Sequence, residues 1–542
     1  MSEQPNILVL LTDQQRFDSI RALGASHMHT PNFDRLVKLG CTYTKAYSSC
    51  PVCMPARHDL LTGASAKHHG FWVNADHPVQ DSGLATLPRM LTRSGYQTIA
   101  VGKMHYFPVR EHHGWAHMHL MEEIPRSCED DEYLQYLESV GLGDIASPHG
   151  VRPLFYHAPQ ASPIPEEHHG TAWVANKTIE LISQKRTRPF FIMSGWIDPH
   201  PPYSIPEKYL EMVDGAPLPE PCPRPASEDR QYPQNDETDV PDAEQLRKLR
   251  EAYFASCTFV DAWVGKVLDA LEANGQLGNT YIILTSDHGE MLGDRGAYQK
   301  FSPYEGSAHI PLIIAGPGIE PGSCSEIPAS TWDVASTIAA LSGAEFPEDH
   351  PWVGENLLQE SDDDKIICMH HGGDLNGFAP VIGRYVAAVD RRYKFVHYYN
   401  GGEEELYDLQ DDPWEQNNLL SETEEPPATV QNLRQACIDF ELQHGQEQRI
   451  KDGGFVDTPY KKPAFSISKY FGLRFSQHPR WLTYHSKEDF QTVINEMKAC
   501  LSQDGVFIPV SNDWKTEAET AWLNAGGTPD LLQDFFEAIE KR

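Results

Sequence analysis

Short, nearly unbroken apolar runs punctuate the first two-thirds of the chain. They are NILVLL at Asn6 to Leu11, TIAV at Thr98 to Val101, PFFIMS at Pro189 to Ser194, TYIILT at Thr280 to Thr285 and IPLIIA at Ile310 to Ala315. Rich in β-branched residues and without a polar face, they read as strands buried on both sides, the pattern of a parallel sheet. Helical spacing fills the intervals. TPNFDRLVKLG offers Thr30 as cap, Pro31 in the first turn and Gly40 as stop. A long helical stretch, with room for one break, covers Ala243 to Leu271, and the proline-rich polar segment Pro201 to Asp242 reads as a loop over the sheet edge. The alternation predicts an α/β fold: a large, mostly parallel sheet sandwiched by helices.

Near Lys365 the pattern changes. RYVAAVD, YKFVHYY, an NGG turn and ELYDL alternate as antiparallel strands do, and a helix follows from Thr429 to His444. The expected organisation is a catalytic domain over 1–364, a smaller α+β subdomain with an antiparallel sheet over 365–460, and an extension over 461–542 to which the sequence assigns no role. A chain of 542 residues is too long for one ordinary core, which agrees with this division. HHG recurs at His68, His112 and His168, with HHGG at His370, but the irregular spacing is no structural repeat, and these histidines read mostly as surface or loop residues.

Charge and cysteine usage narrow the partners. The formal net charge of −34 repels nucleic acid and anionic membranes, and no run approaches the length of a membrane span. The 10 cysteines are scattered rather than paired at metal-type spacings, and ILVLL near the start lacks a basic flank and a cleavage site. Reduced thiols and a cytoplasmic address are the expectation. An anionic substrate would need a local basic pocket within this acidic surface; a homo-oligomer is compatible with the sequence but not required by it.

Ligand sites in open α/β sheets lie beyond the carboxyl ends of the strands, so the residues after each run carry information. The first run leads into Asp13 and Gln14, the second into Lys103 and His105 of GKMH, and the third into Asp198 and His200 of DPHPPY. The fourth ends in SDHGEMLGDRG, giving Asp287 and His288, with Lys300 shortly after. Asp13, Gln14, Asp287 and His288 suit a divalent cation, and Lys103, Lys300 and Arg57 suit an anion held against it. That combination serves phosphoryl or sulfuryl transfer.

The stretch CPVCMPARHDLLTG, residues 50 to 63, places Cys53 at a helix amino end, with Pro55 in the first turn. C-M-P-A-R followed by L-T-G resembles the signature of the type I formylglycine-dependent sulfatases of the alkaline phosphatase superfamily. TDQQ, GKMH, DPHPPY, SDHGEMLGDRG with Lys300, and ELYDLQDDPWEQNNL extend the resemblance from about Asn6 to Leu420. It implies an alkaline phosphatase-like fold and a maturation enzyme that converts Cys53, not Cys50, to Cα-formylglycine. It further implies metal ligation by Asp13, Gln14, Asp287, His288 and residue 53, with Arg57 and Lys103 holding the hydrate. His105 resembles the base that releases sulfate; His200 and Lys300 resemble the pair that binds sulfate and protonates the leaving oxygen; Asn74 would contact the hydrate or the substrate. A hydrated aldehyde has a chemical advantage over serine or thiol. One hydroxyl attacks sulfur in line, and the other then loses its proton to expel sulfate and restore the aldehyde.

Many sulfatases carry Asp where this chain has Gln14, Asn where it has His288, and often Arg where it has His309. A metal ion, two carboxylates, a diolate and three cationic side chains give a site charge of about +2, which suits a monoanionic ester. Choline sulfatases and phosphonate monoester hydrolases share the Gln14 and His288 combination. The expected activity is therefore hydrolysis of a sulfate monoester, of a small sulfated carbohydrate or an aryl or alkyl alcohol, with Ca²⁺ favoured and Mn²⁺ the alternative. Phosphonate monoester or phosphodiester hydrolysis is the rival enzyme reading. A metal- and anion-binding protein without turnover is the reading if Cys53 stays unmodified.

Overall fold

In the computed structural model all five apolar runs are strands of one eight-stranded sheet. Its members are β1 (Asn6–Thr12), β2 (Gly40–Tyr43), β3 (Gln97–Gly102), β4 (His117–Leu120), β5 (Phe190–Gly195), β6 (Thr280–Ser286), β7 (Leu312–Ala315) and β8 (Ser323–Ser325). They lie in the order β8-β2-β7-β6-β1-β5-β3-β4. The strands from β6 to β4 in that order run parallel. β7 is antiparallel to both its neighbours, which makes the sheet mixed. The structure describes residues 4–460 except 75–82, 126–127, 146, 151–158, 226–242, 360–363, 373–383 and 423–427, and beyond 460 only isolated positions and the helix Pro529–Glu540. The extension at 461–542 thus lies almost wholly outside the described residues.

The central strands read as continuous apolar runs because both sheet faces are covered. Leu8 and Leu10 of β1 join one core, with Phe33 and Leu36 of α1 (Pro31–Leu39), Trp173 of α2 (Gly170–Ile182), and Phe259 and Trp263 of α3 (Ala243–Ala273). Ile7, Val9 and Leu11 point the other way, into a core shared with Leu60 of the helix Cys53–Thr62 and with Val334 and Ile338 of the helix Thr331–Ser342. Period-two side-chain alternation sends neighbouring residues to opposite layers, so neither face can be polar.

Three local expectations need correction. α3 runs unbroken for 31 residues. Its one glycine, Gly265, lies under Asn32, where a Cβ would stand 2.4 Å from that side chain, so it serves helix contact rather than a break. Thr30 does not cap α1 with its hydroxyl, which accepts the Arg21 amide instead; the carboxylate of Asp261 on α3 accepts the amides of Asn32 and Phe33. The 201–242 segment is not all loop, since it holds a two-residue strand at Ser204–Ile205 and a helix at Glu207–Val213, with 226–242 outside the described residues.

The second sheet is β9 (Ile367–His371), β10 (Tyr385–Val389), β11 (Tyr393–Tyr398) and β12 (Glu403–Asp408), antiparallel throughout. β9 carries the HHGG histidines, and its polar content hides it from a pattern reading. One face packs on the helix Thr429–Gln443 through Val386, Phe395, Leu433 and Phe440. The other packs on Tyr47, in the short strand Ala46–Tyr47, and on Met291 and Tyr304 of the segment between β6 and β7. At that joint Lys394 Nζ donates to Glu305 at 2.5 Å and to Glu415 at 2.8 Å. His309 sits between the second oxygen of Glu305, at 2.6 Å, and the carbonyl of Thr44, at 2.9 Å. The residue that stands in place of the frequent arginine therefore ties a buried ion network to the edge of the main sheet. Four of the eight paired histidines are buried, against expectation: His69 donates to Asp59, and His169, His370 and His371 lie in the core.

Candidate active site

The segments leaving β1, β3, β5 and β6 meet at one edge of the sheet. Two glycines allow the approach. Gly102, at φ 83°, ends β3 with its Cα hydrogen against Gly195 O, where a Cβ would stand 2.0 Å away. Gly195 has Lys103 O at 2.2 Å from its own Cβ position. Only paired glycines let the two strand exits touch, and this turns Lys103 into the site.

Cys53 and Arg57 are one turn apart on the helix Cys53–Thr62, so both face the strand ends. Asn74 Oδ1 accepts the Met54 amide at 3.0 Å, which places Asn74 at the amino end of that helix. The Arg57 guanidinium spans three elements: Nε to Asp287 Oδ2 at 2.8 Å, Nη2 to Asp13 Oδ2 at 3.0 Å and Nη1 to Lys103 O at 2.7 Å. Lys103 Nζ lies 2.6 Å from Asp13 Oδ2 and 2.6 Å from Glu123. Lys300 Nζ donates to Gln14 Oε1 at 2.8 Å and lies 3.2 Å from Cys53 Sγ.

Donor atoms of Asp13, Cys53, Asp287 and His288 all fall within 4.8 Å of one another, and all four residues are buried. The arrangement fits a divalent cation on two observations. Asp13 Oδ2 is held by cations while Oδ1, equally buried, has no hydrogen-bond partner among the described residues. His288 Nδ1 is turned to the carbonyl of Gly289 at 2.9 Å, which aims Nε2 at the centre, 3.1 Å from Cys53 Sγ. Carboxylate and amide oxygens with one imidazole nitrogen are donors that Ca²⁺ and Mn²⁺ both accept.

The same charges separate the two cysteines of the signature. Burial disfavours a thiolate at Cys53, yet Lys300, His288 and Lys103 bring it well below the ordinary thiol range. Cys50 is pushed well above that range by burial, with Asp59 adding to the effect. The site favours negative charge at position 53 and disfavours it at position 50. Asp13 and Asp287 are both depressed against the cost of burial, Asp13 chiefly by Lys103 and Asp287 by His288 and Arg57.

His200 is buried, with Nδ1 2.6 Å from Pro201 O and 3.6 Å from Glu123. His105 adopts φ 58°, donates its amide to Glu122, and leaves Nδ1 without a partner among the described residues. Asp13, Gln14, Cys53, Arg57, Lys103, Asp287, His288 and Lys300 thus form one contact network. His200 joins it through Glu123, while Asn74 and His105 stand at its margin. Sequence reading missed two buried carboxylates. Glu123 follows the short polar strand β4, HMHL, which has no strand-like pattern to point to its end. Glu290 lies inside the SDHGEMLGDRG motif but was not distinguished from its neighbours.

An α/β sheet whose carboxyl edge gathers buried cationic side chains around Cys53, beside donors that fit a divalent cation, suits the hydrolysis of charged esters. Comparison with known proteins specifies which. Residues 5–344 match the Sulfatase family and residues 293–442 the C-terminal region of N-sulphoglucosamine sulphohydrolase. The chain belongs to the sulfatase family, and it is a sulfuric ester hydrolase with an alkaline phosphatase-like fold. It is 29% identical to an arylsulfatase of Clostridium perfringens over 83% of this chain and 96% of that protein. It is also 29% identical to a choline-sulfatase of Rhizobium meliloti, over 81% and 88% respectively. Among solved structures, a phosphonate monoester hydrolase of Agrobacterium radiobacter superposes with a TM-score of 0.64 at 24% identity, over 81% of this chain and 96% of that one. No helix among the described residues is long and apolar enough to cross a membrane.

Proposed function

We propose that the protein cleaves the sulfate monoester of a small molecule, a short sulfated sugar or an aryl or alkyl sulfate, with formylglycine made from Cys53 and a divalent cation at Asp13, Gln14, Asp287 and His288. The supporting observation is that position 53 is held among Lys300, His288 and Lys103 beside a buried Asp13 oxygen that has no hydrogen-bond partner among the described residues. The hydrated aldehyde would supply the nucleophile, and the cation would lower the cost of its ionisation. The residues do the rest. Arg57 and Lys103 fix Asp13 and Asp287, Lys300 faces the entering oxygen, and Glu123 bridges Lys103 to the His200 side, where the departing oxygen would lie. Ca²⁺ is placed first and Mn²⁺ second; activity restored by each to metal-stripped enzyme ranks them.

Glu123 and Glu290 change the charge balance. With two more buried carboxylates, the surplus of about +2 falls to about zero. Such a site suits a monoanion better than a dianionic phosphate monoester. This keeps one rival open, a phosphonate monoester or phosphodiester, favoured by Gln14 and His288 and by the likeness to a phosphonate monoester hydrolase fold. A panel of sulfate, phosphonate and phosphodiester esters on one metal-loaded preparation is the test: sulfate monoesters turn over fastest if the reading holds. Intact mass separates both from a non-catalytic protein, because Cys to formylglycine lowers it by about 18 Da.

The acidic surface bears on substrate size. A polyanionic chain crossing it meets repulsion at every sulfate but the one in the site, within a Debye length of ~8 Å at physiological salt. The expected result is a higher kcat/KM on sulfated oligosaccharides than on the parent polysaccharide at low salt, with the gap narrowing at high salt. Faster turnover of the intact polymer at both salts contradicts the small-substrate reading.

A further inference from the structure

Glu290, three residues past Asp287, is fully buried, and its two carboxylate oxygens face different partners. Oε1 accepts the backbone amides of Leu292, at 2.9 Å, and of Gln299. Oε2 accepts the side-chain N–H of Gln14. On the far side of the Gln14 amide, Oε1 accepts from Lys300 Nζ at 2.8 Å. Arg16 anchors the loop, donating from Nη1 to Glu290 O and to Asp294 Oδ2, both at 2.7 Å.

These contacts leave Gln14 one orientation. Turned over, its amide would present N–H groups to an ammonium and a carbonyl to a carboxylate, and lose both bonds. The orientation matters because only the amide oxygen can coordinate a cation. We infer that Glu290 is a positioning residue of the metal centre, which holds the Gln14 amide with its oxygen toward the cation. It also carries, one layer out, the negative charge that an aspartate at position 14 would place directly on the metal. This rests on the cation site proposed above.

The test is a reversal of one hydrogen bond. In Glu290→Gln the two backbone amides at Oε1 hold the new side chain so that its N–H₂ faces Gln14. Two N–H₂ groups then oppose each other, and Gln14 loses the bond that fixes its orientation, with a donor against it on either side. In the double variant Gln14→Glu with Glu290→Gln, the new amide donates to one oxygen of the new carboxylate, and the other oxygen faces the cation and Lys300. Titration of Ca²⁺ and of Mn²⁺ into metal-stripped protein by calorimetry reads the effect, with Asp287→Asn as the control for the site itself. Glu290→Gln is expected to weaken metal binding ~10–100-fold, the usual range for a residue that orients a metal ligand. The double variant should recover most of that loss, and the melting temperature of the metal-free proteins should change little. Wild-type affinity in Glu290→Gln, or a double variant no tighter than the single, overturns the inference while leaving the metal site standing. Equal binding by wild type and Asp287→Asn removes the metal site, and the inference with it.

Discussion

Cys53→Ala is expected to lower turnover of a sulfate ester by at least ~10⁴-fold, as loss of a covalent nucleophile does, while Cys50→Ala retains most of it. Both thiols are buried and sit three residues apart, so exposure cannot distinguish them. Electrostatics does. Position 53 lies 3.2 Å from the Lys300 ammonium and 3.1 Å from His288, a setting in which an anion is stabilised. At position 50 burial, with Asp59 adding to it, pushes the thiol well above its ordinary range and holds it neutral. Alanine at the first turn of a helix is well tolerated, so circular dichroism and the melting temperature of Cys53→Ala should match the parent. The mass decrement of about 18 Da should vanish in Cys53→Ala and persist in Cys50→Ala. An inactive Cys50 variant beside an active Cys53 variant would reverse the assignment.

What the sequence disclosed followed from how each feature is encoded. The central strands are legible because both faces are buried, which leaves runs such as ILVLL with no polar residue to blur them. β2, β4 and β8 are not, because short segments at or next to the sheet's edges, such as HMHL, are specified by tertiary pairing rather than by their own pattern. Asp13, Gln14, Asp287 and His288 could be placed from strand-end logic, since a residue just past a parallel strand must lie at the sheet's carboxyl edge. Glu123 escaped because its strand did. Glu290 escaped for a different reason: proximity in sequence located it, but its role depends on contacts with Gln14 and Gln299 that only the folded loop creates. His309 likewise meant nothing until Glu305 and Thr44 were seen on either side of it.

The geometry assigns different effects to His200 and Lys300, which the sequence treats as a pair. His200→Ala should cost ~10³-fold on alkyl sulfates and far less on activated aryl sulfates, because proton donation matters most when the departing oxygen is basic. Its Nδ1 is committed to Pro201 O, which leaves Nε2 as the nitrogen that can carry a transferable proton. Burial holds the imidazole well below its ordinary range; Glu123 opposes this, and Lys300 and Lys103 reinforce it. A bound sulfate ester brings a negative charge beside the ring and favours the imidazolium, so the proton becomes available when substrate arrives. The limb of the pH profile due to His200 should therefore lie at higher pH in kcat than in kcat/KM, and be missing from His200→Ala. Lys300 touches Cys53 and Gln14 instead, so Lys300→Ala should slow aryl and alkyl esters by similar factors. A leaving-group series measured on both variants decides between the two roles. Equal losses across the series in His200→Ala would remove it as the acid, and a steeper dependence in Lys300→Ala would transfer that role to the lysine.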